Sequence, residues 1–143
     1  MNRFLFTLFL LTFALSAQSQ TKASNLIRYD GLYQTGCDID SASNDTTYYF
    51  LRFYPNGKVI SVSVNGTVNN IKKWFTTKQK NPSLGLYEIR DKRIYFTTTS
   101  KEGTVVYDGQ ILDNYYLHLT VTSLINGHLS NEKYYFVKVA DLR

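Results

Sequence analysis

Short alternating runs of apolar and polar residues occupy most of the chain after residue 28. In Lys58–Val64, for example, Ile60, Val62 and Val64 alternate with two serines. A period of two is typical of a β-strand with one buried face. Eight strands are predicted on this basis, at residues 29–37, 46–54, 58–64, 85–90, 93–99, 104–112, 115–124 and 132–139.

Tight turns separate most of these strands. Pro55-Asn56-Gly57 is the strongest signal, because Pro presets φ and Asn-Gly accepts the positive φ of a hairpin. Strands joined by tight turns pair antiparallel with their sequence neighbours. We therefore predict an all-β fold, an eight-stranded antiparallel up-and-down barrel, since closure removes exposed edge strands. A sandwich of two sheets is the alternative.

One segment departs from this pattern. Val68, Ile71, Trp74 and Phe75 follow helical spacing, which predicts a short helical segment near residues 68–76. A bulged strand is the alternative for this segment.

The first residues have the character of a secretory signal peptide. Arg3 is followed by an apolar run at 4–15 and by the small residues Ala17 and Ser19. The run is shorter than the roughly 18 apolar residues of a membrane anchor. We expect residues 1–19 to be removed, 20–28 to form an N-terminal lead and 29–143 to form one barrel domain. The protein is then secreted or periplasmic, with no membrane span after cleavage.

Composition narrows the function classes. The 143 residues suit one domain, and 12 Tyr and nine Phe favour strands. The net charge of +5 is spread along the chain, whereas nucleic-acid binding usually needs a continuous basic stripe. No nucleic-acid partner is therefore expected.

Few residues could carry chemistry. The chain has two histidines, His118 and His128, and one cysteine, and it lacks a nucleophile elbow, a phosphate loop and a His-x-x-x-His pair. We predict a non-enzyme with no cofactor and no metal. The acidic loop 38–45 could ligate calcium, but a solvated loop is favoured. Cys37 is expected to be buried, with an intermolecular disulfide as the alternative.

Alternation also assigns side chains to the two faces of the wall. Arg52 should point outwards, so that its neighbours Leu51 and Phe53 point inwards. The remaining residues expected inside are Tyr49, Ile60, Val62, Val64, Tyr87, Ile89, Ile94, Phe96, Thr98, Val105, Tyr107, Ile111, Leu117, Leu119 and Val121. Four aromatic residues are expected outside: Tyr48, Phe50, Tyr54 and Tyr95.

Gly31-Leu32-Tyr33 on the first strand resembles the Gly-x-Trp motif of lipocalins. With the eight meander strands, it makes residues 29–139 similar to the calycin group of lipocalin-like and avidin-like barrels. The resemblance implies that Tyr33 plugs the closed end. It also implies binding of a small, largely apolar molecule without catalysis.

Two functions are consistent with this architecture. The first is ligand binding inside the barrel, with a wall that includes Tyr49, Phe53, Phe96, Tyr107 and Leu117. The second is an exported interaction module with a filled barrel. In that case the outer strip of Tyr48, Phe50, Tyr54 and Tyr95 binds a protein, a glycan or a second copy of the chain. The 68–75 segment could instead cover this strip.

Overall fold

The computed structural model describes residues 26–36, 38–40, 45–64, 71–80 and 82–142. Within these ranges the chain is almost entirely β, with a single turn of 3-10 helix at Lys72–Trp74. The strands are β1 (Gly31–Gln34), β2 (Asp38–Asp40), β3 (Asp45–Phe53), β4 (Lys58–Val64), β5 (Leu84–Arg90), β6 (Arg93–Ser100), β7 (Gly103–Asp113), β8 (Tyr116–Ser123) and β9 (Leu129–Lys138).

The sheet closes on itself through β1. Strands β2 to β9 follow one another in sequence order, and β1 pairs antiparallel with both β9 and β3. Strands β1 and β2 pair with adjoining stretches of β3, and the two pairings differ in register by one residue. Together β1 and β2 therefore occupy one strand position in the barrel. The result is a closed eight-stranded antiparallel up-and-down barrel, as predicted. Closure excludes the two-sheet sandwich.

The turns divide the molecule into two ends. One end carries the tight turns at 54–57, 91–92 and 114–115, with residues 26–30 and 139–142 beside them. Gly57 there has the positive φ (82°) that the Asn-Gly signal predicted. The other end carries the turns at 101–102 and 124–128 and the long β4–β5 connection. We call these the closed end and the open end.

Apolar residues form two clusters, one on each side of the wall. The interior cluster fills the closed half and consists of Ile27, Tyr33, Leu51, Phe53, Val59, Ile94, Phe96, Tyr107, Ile111, Leu117, Leu119, Tyr134 and Phe136. The outer cluster lies where the 71–75 segment crosses β3 and β4, and consists of Leu32, Phe50, Ile60, Ile71, Phe75 and Val139.

The expected faces of β4 are wrong. Ile60, Val62 and Val64 belong to the outer cluster, and Val59 is the residue that packs inside. The pairing across the hairpin explains the difference. Because Phe53 lies opposite Val59, these two residues share the inner face and Ile60 must turn outwards.

The 71–75 segment is only partly helical. One 3-10 turn takes the place of the helical segment expected near 68–76, and residues 65–70 lie outside the described ranges. Ile71 and Phe75 are nevertheless both buried, as a helical face would bury them. The segment therefore acts as a cover on the outer face of β3 and β4.

At the end of the expected N-terminal lead, Ile27 is fully buried in the interior cluster, so residues 26–28 pack against the barrel. The predicted signal peptide, Cys37 and residues 41–44 of the acidic loop lie outside the described residues. In the part of the chain that the structure describes, no helix combines the length and the apolar character needed to cross a membrane.

Candidate functional site

A cavity of about 730 Å³ lies in the open half of the barrel, and its lining also includes Phe50, Ile60 and Val62 of the outer cluster. Its inner wall includes Tyr49, Ser63, Val105, Val121 and Ser130, all from different strands. Its rim includes Trp74 and residues of the β6–β7 and β8–β9 turns. The cavity therefore opens at the end opposite the solid interior cluster.

A chain of hydroxyl groups lies at one side of the cavity. Ser61 donates through Oγ to Ser83 Oγ at 3.1 Å, and its Oγ lies 2.8 Å from Thr98 Oγ1. Ser61 and Ser83 line the cavity, whereas Thr98 is fully buried behind them. Ser61 therefore links a buried hydroxyl to one that a ligand can reach.

Strand pairing explains why hydroxyls occupy this position. The β4–β5 ladder is short, joining Lys58–Ile60 to residues 84–86, while β4 and β6 both continue towards the open end. Ser61 extends the ladder by one bond, from its N–H to the carbonyl of Ser83 at 3.0 Å. Beyond that point the serine and threonine side chains connect β4, the β4–β5 connection and β6.

Tyr107 lies beside this hydroxyl chain. Its ring stacks on Phe96, with centroids 4.5 Å apart and an interplanar angle of 12°. Burial raises the pKa of Tyr107, while hydrogen bonding to Ser61 and Thr98 acts in the opposite direction. The phenol therefore stays protonated around neutral pH and keeps a hydroxyl group at the cavity wall.

Glu132 places a carboxylate on the inner wall. Glu132 sits on β9 between Ser130 and Tyr134, lines the cavity and is partly buried. Among the described residues, no hydrogen bond or ion pair involves its side chain. His128 and two lysines, Lys80 and Lys101, also line the cavity, and all three are exposed.

The five residues expected to form the binding wall all lie on the inner face, but at two depths. Tyr49 and Tyr107 line the cavity. Phe53, Phe96 and Leu117 are fully buried in the interior cluster and do not line it. Phe53 alone packs edge-on against Tyr33, Tyr87 and Phe96, so this part of the barrel is filled.

Tyr33 lies at the closed end. Its ring packs edge-on against Phe53 at 5.6 Å and Phe136 at 5.3 Å. Its hydroxyl donates to the carbonyl of Asn114 at 2.8 Å and accepts from the amide of Arg28 at 3.0 Å. Tyr33 thus ties the β7–β8 turn to the N-terminal segment and has no contact with the cavity.

The outer strip is not a continuous exposed surface. Phe50 is 1% exposed beneath Phe75, and Tyr48 and Tyr54 are partly buried in the same outer cluster. Tyr95, by contrast, is 47% exposed on β6, a different part of the wall. The structure therefore places three of the four residues under the cover and the fourth apart from them.

Arg52 links the 71–75 cover to the outer face of β3. Its guanidinium lies over the ring of Tyr54 at 4.5 Å and donates to the carbonyl of Phe75. It also donates to the carbonyl of Leu142 at 3.4 Å. Arg52 points outwards as expected, but it is buried because the 71–75 segment and the C-terminal segment both cross over it.

Reasoning from the sequence missed Ser61, Ser63 and Glu132 as cavity residues. The first two follow from the hairpin, because Leu51 opposite Ser61 and Tyr49 opposite Ser63 share the inner face. Glu132 follows from alternation with Tyr134 once that residue is placed inside. His118, in contrast, is exposed on the outer face.

Within the described ranges, no group of three or more His, Cys, Asp or Glu residues is arranged to hold a metal ion. Comparisons of the chain with protein-family models, curated proteins and solved structures find no match.

Proposed function

We propose that this protein binds one small molecule in the open half of the barrel and does not act on it chemically. The cavity is the observation that supports this proposal. Its volume of about 730 Å³ falls within the roughly 300–1,000 Å³ of small-molecule sites. An eight-stranded barrel filled along its whole length would leave no such space.

The lining favours a largely apolar ligand with a few polar groups. Val105, Val121 and the ring of Tyr107 supply apolar contact area. Ser63, Ser123 and Ser130 supply neutral hydroxyls that can orient the polar groups of a ligand. A small ring-containing molecule with a few polar substituents matches this combination.

We further propose that the protein is exported and is a lipocalin-like carrier. Export rests on the signal-peptide pattern of residues 1–19, and the carrier role rests on a barrel that is solid at one end and open at the other. Sequencing the N-terminus of secreted protein tests export. The expected mature chain begins at or near Gln20, and retention of Met1 would contradict it.

Adjacent valines on β7 allow a matched test of binding. Val105 lines the cavity, whereas Val106 lies on the other face of the same strand. Wild-type protein should bind Nile red, a neutral apolar dye, with one-to-one stoichiometry. Val105→Trp should remove this binding by filling the cavity, and Val106→Trp should leave it intact.

Circular dichroism accompanies the titration to establish that both variants keep the barrel. The proposal fails if wild-type protein does not bind the dye. It also fails if folded Val105→Trp binds the dye as tightly as Val106→Trp does.

A further inference from the structure

We propose that Glu132 selects ligands carrying an ammonium group, so that the cavity prefers a small aromatic amine to its neutral or acidic analogue. This inference rests on the proposed binding function and specifies its ligand class. It assigns a specificity-determining role to one carboxylate on the inner wall.

The position of Glu132 supports this role. Inner residues of β9 alternate as Ser130, Glu132 and Tyr134, and all three line the cavity. Opposite Glu132 on β8 lies Leu119, a fully buried core residue, which offers the carboxylate no hydrogen bond. The charge therefore stands at the boundary between the hydroxyl-lined cavity and the apolar core.

The carboxylate also has no partner in the part of the chain that the structure describes. Among the described residues, none donates a hydrogen bond to Glu132 or forms an ion pair with it. A carboxylate without a partner among the described residues can accept a charge-assisted hydrogen bond from a cationic ligand. A neutral ligand would offer it no opposite charge.

The other charges at the site do not replace that partner. Lys101 is 3.4 Å from Glu102 in the β6–β7 turn, and the exposed Lys80 belongs to the β4–β5 connection. Exposed charges at the rim are screened by salt, whereas a partly buried carboxylate is screened less. The electrostatic preference inside the cavity is therefore for a cation.

Aromatic rings on the same walls favour a cation independently. Tyr49, Tyr107 and Tyr134 lie on the inner face and line the cavity, and Trp74 lies at its rim. The negative face of an aromatic ring attracts an ammonium group, most strongly where water is displaced. The same rings provide flat surfaces for the aromatic body of the ligand.

Three probes of nearly identical shape test the proposal. Tyramine, tyrosol and 4-hydroxyphenylacetate share a phenol ring and differ in carrying an ammonium, a hydroxyl or a carboxylate. Titrations followed by backbone amide NMR should show that wild-type protein binds tyramine about tenfold more tightly than tyrosol, as one charge-assisted hydrogen bond would give. The carboxylate should bind most weakly.

Glu132→Gln keeps the shape of the side chain and removes its charge. It should reduce tyramine affinity to that of tyrosol and leave tyrosol affinity unchanged. Glu102→Gln makes the same charge change at the rim, where the carboxylate pairs with Lys101, and should preserve the preference for tyramine.

Two results would overturn the assignment of Glu132. One is equal affinity of wild-type protein for tyramine and tyrosol, and the other is a tyramine preference that persists in Glu132→Gln. If Nile red binds one to one while either result holds, the binding function stands and only the ammonium preference fails. If neither the dye nor any of the three probes binds, both proposals fail together.

Discussion

At the scale of single residues, Tyr33 shows how the closed end is sealed. A buried phenol needs hydrogen-bond partners, and the carbonyl of Asn114 and the amide of Arg28 provide them. Burial raises the pKa of Tyr33 to about 12, whereas a tyrosine in an unfolded chain ionises near pH 10, about two units lower. The folded state therefore holds this proton over a range in which the unfolded state loses it.

This difference predicts an alkaline loss of stability. A raised tyrosine pKa contributes stability that is fully present below about pH 10 and is lost as the pH rises towards 12. Urea unfolding at pH 8, 10 and 12 should show the fall in the free energy of unfolding. Tyr33→Phe should make this fall shallower by about 2–3 kcal/mol, because each unit of the pKa shift is equivalent to about 1.4 kcal/mol. Parallel pH profiles for the two proteins would contradict this assignment.

Leu119 and Thr120 are consecutive residues on opposite faces of β8. Leu119 is fully buried in the interior cluster, whereas Thr120 is exposed and bonds Asn131 at 2.8 Å. Leu119→Ala should lower the free energy of unfolding by about 2–5 kcal/mol, because it leaves a cavity in packed core. Thr120→Ala should cost at most about 1 kcal/mol, the usual net value of such a bond. Equal losses in urea unfolding would contradict this assignment of faces.

At the scale of elements, β4 shows what alternation can and cannot predict. Alternation separates Ile60, Val62 and Val64 from the serines, but it does not indicate which set faces the core. The turn does, because the hairpin places Val59 opposite Phe53. The sequence therefore contained the information to assign the inner face of β4.

The cover could not be predicted in the same way. Alternation carries no information about the path of the β4–β5 connection, which brings Phe75 to within 6.1 Å of Phe50, measured between ring centroids. When the path of this connection is not known, the aromatic side chains on the outside of β3 cannot be distinguished from a docking surface. Helical spacing did correctly mark Ile71 and Phe75 as residues of one buried face.

Removing the anchor of the cover should release it. Phe75→Ala deletes a fully buried ring and should destabilise the segment by up to about 3–5 kcal/mol. Limited trypsin digestion should then cut after Lys72 and Lys73 at least about tenfold faster, because these bonds become accessible through local opening. Thr77→Ala, an exposed change in the same connection, is the control and should leave the cleavage rate unaltered.

An unchanged cleavage rate in Phe75→Ala would show that the segment is held by other contacts, such as the bond between Arg52 and the carbonyl of Phe75. Circular dichroism distinguishes local release from global unfolding. The expected spectrum is that of the wild-type barrel.

At the scale of the whole molecule, the turn signals predicted the number of strands and their order. Eight antiparallel strand positions follow from turns that each reverse the chain.

The cavity was harder to predict, because its floor depends on how side chains from all eight strand positions share the interior. Phe53 and Tyr49 lie on the same face of β3, yet one is core and the other lines the cavity.

Closure of the barrel depends on a close approach between the backbones of β1 and β9, whose pairing we call the β1–β9 seam. A Cβ on Gly31 would lie 2.1 Å from the carbonyl oxygen of Val137 and 2.5 Å from the ring of Phe136. Gly31→Val should therefore force the seam apart and cost at least about 2 kcal/mol. Gly36→Val is the matched control, because nothing lies within 4 Å of a Cβ at that position.

Because the β1–β9 pairing closes the whole sheet, Gly31→Val should lower the stability of the entire barrel. Trp74 fluorescence and far-ultraviolet circular dichroism should report the same, lower urea midpoint for Gly31→Val. Separate midpoints for the two signals would indicate that the 71–75 segment, which carries Trp74, unfolds independently of the barrel.

The two terminal segments described here meet at the closed end, where the amide of Val139 donates to the carbonyl of Asp30 at 3.2 Å. A tether attached through either segment therefore holds the molecule by its sealed face. On a sensor surface, protein immobilised in this way directs the cavity mouth towards the solution and leaves ligand access unhindered. A fluorophore at Asn126, on the opposite rim, would sit beside the entrance and report occupancy directly.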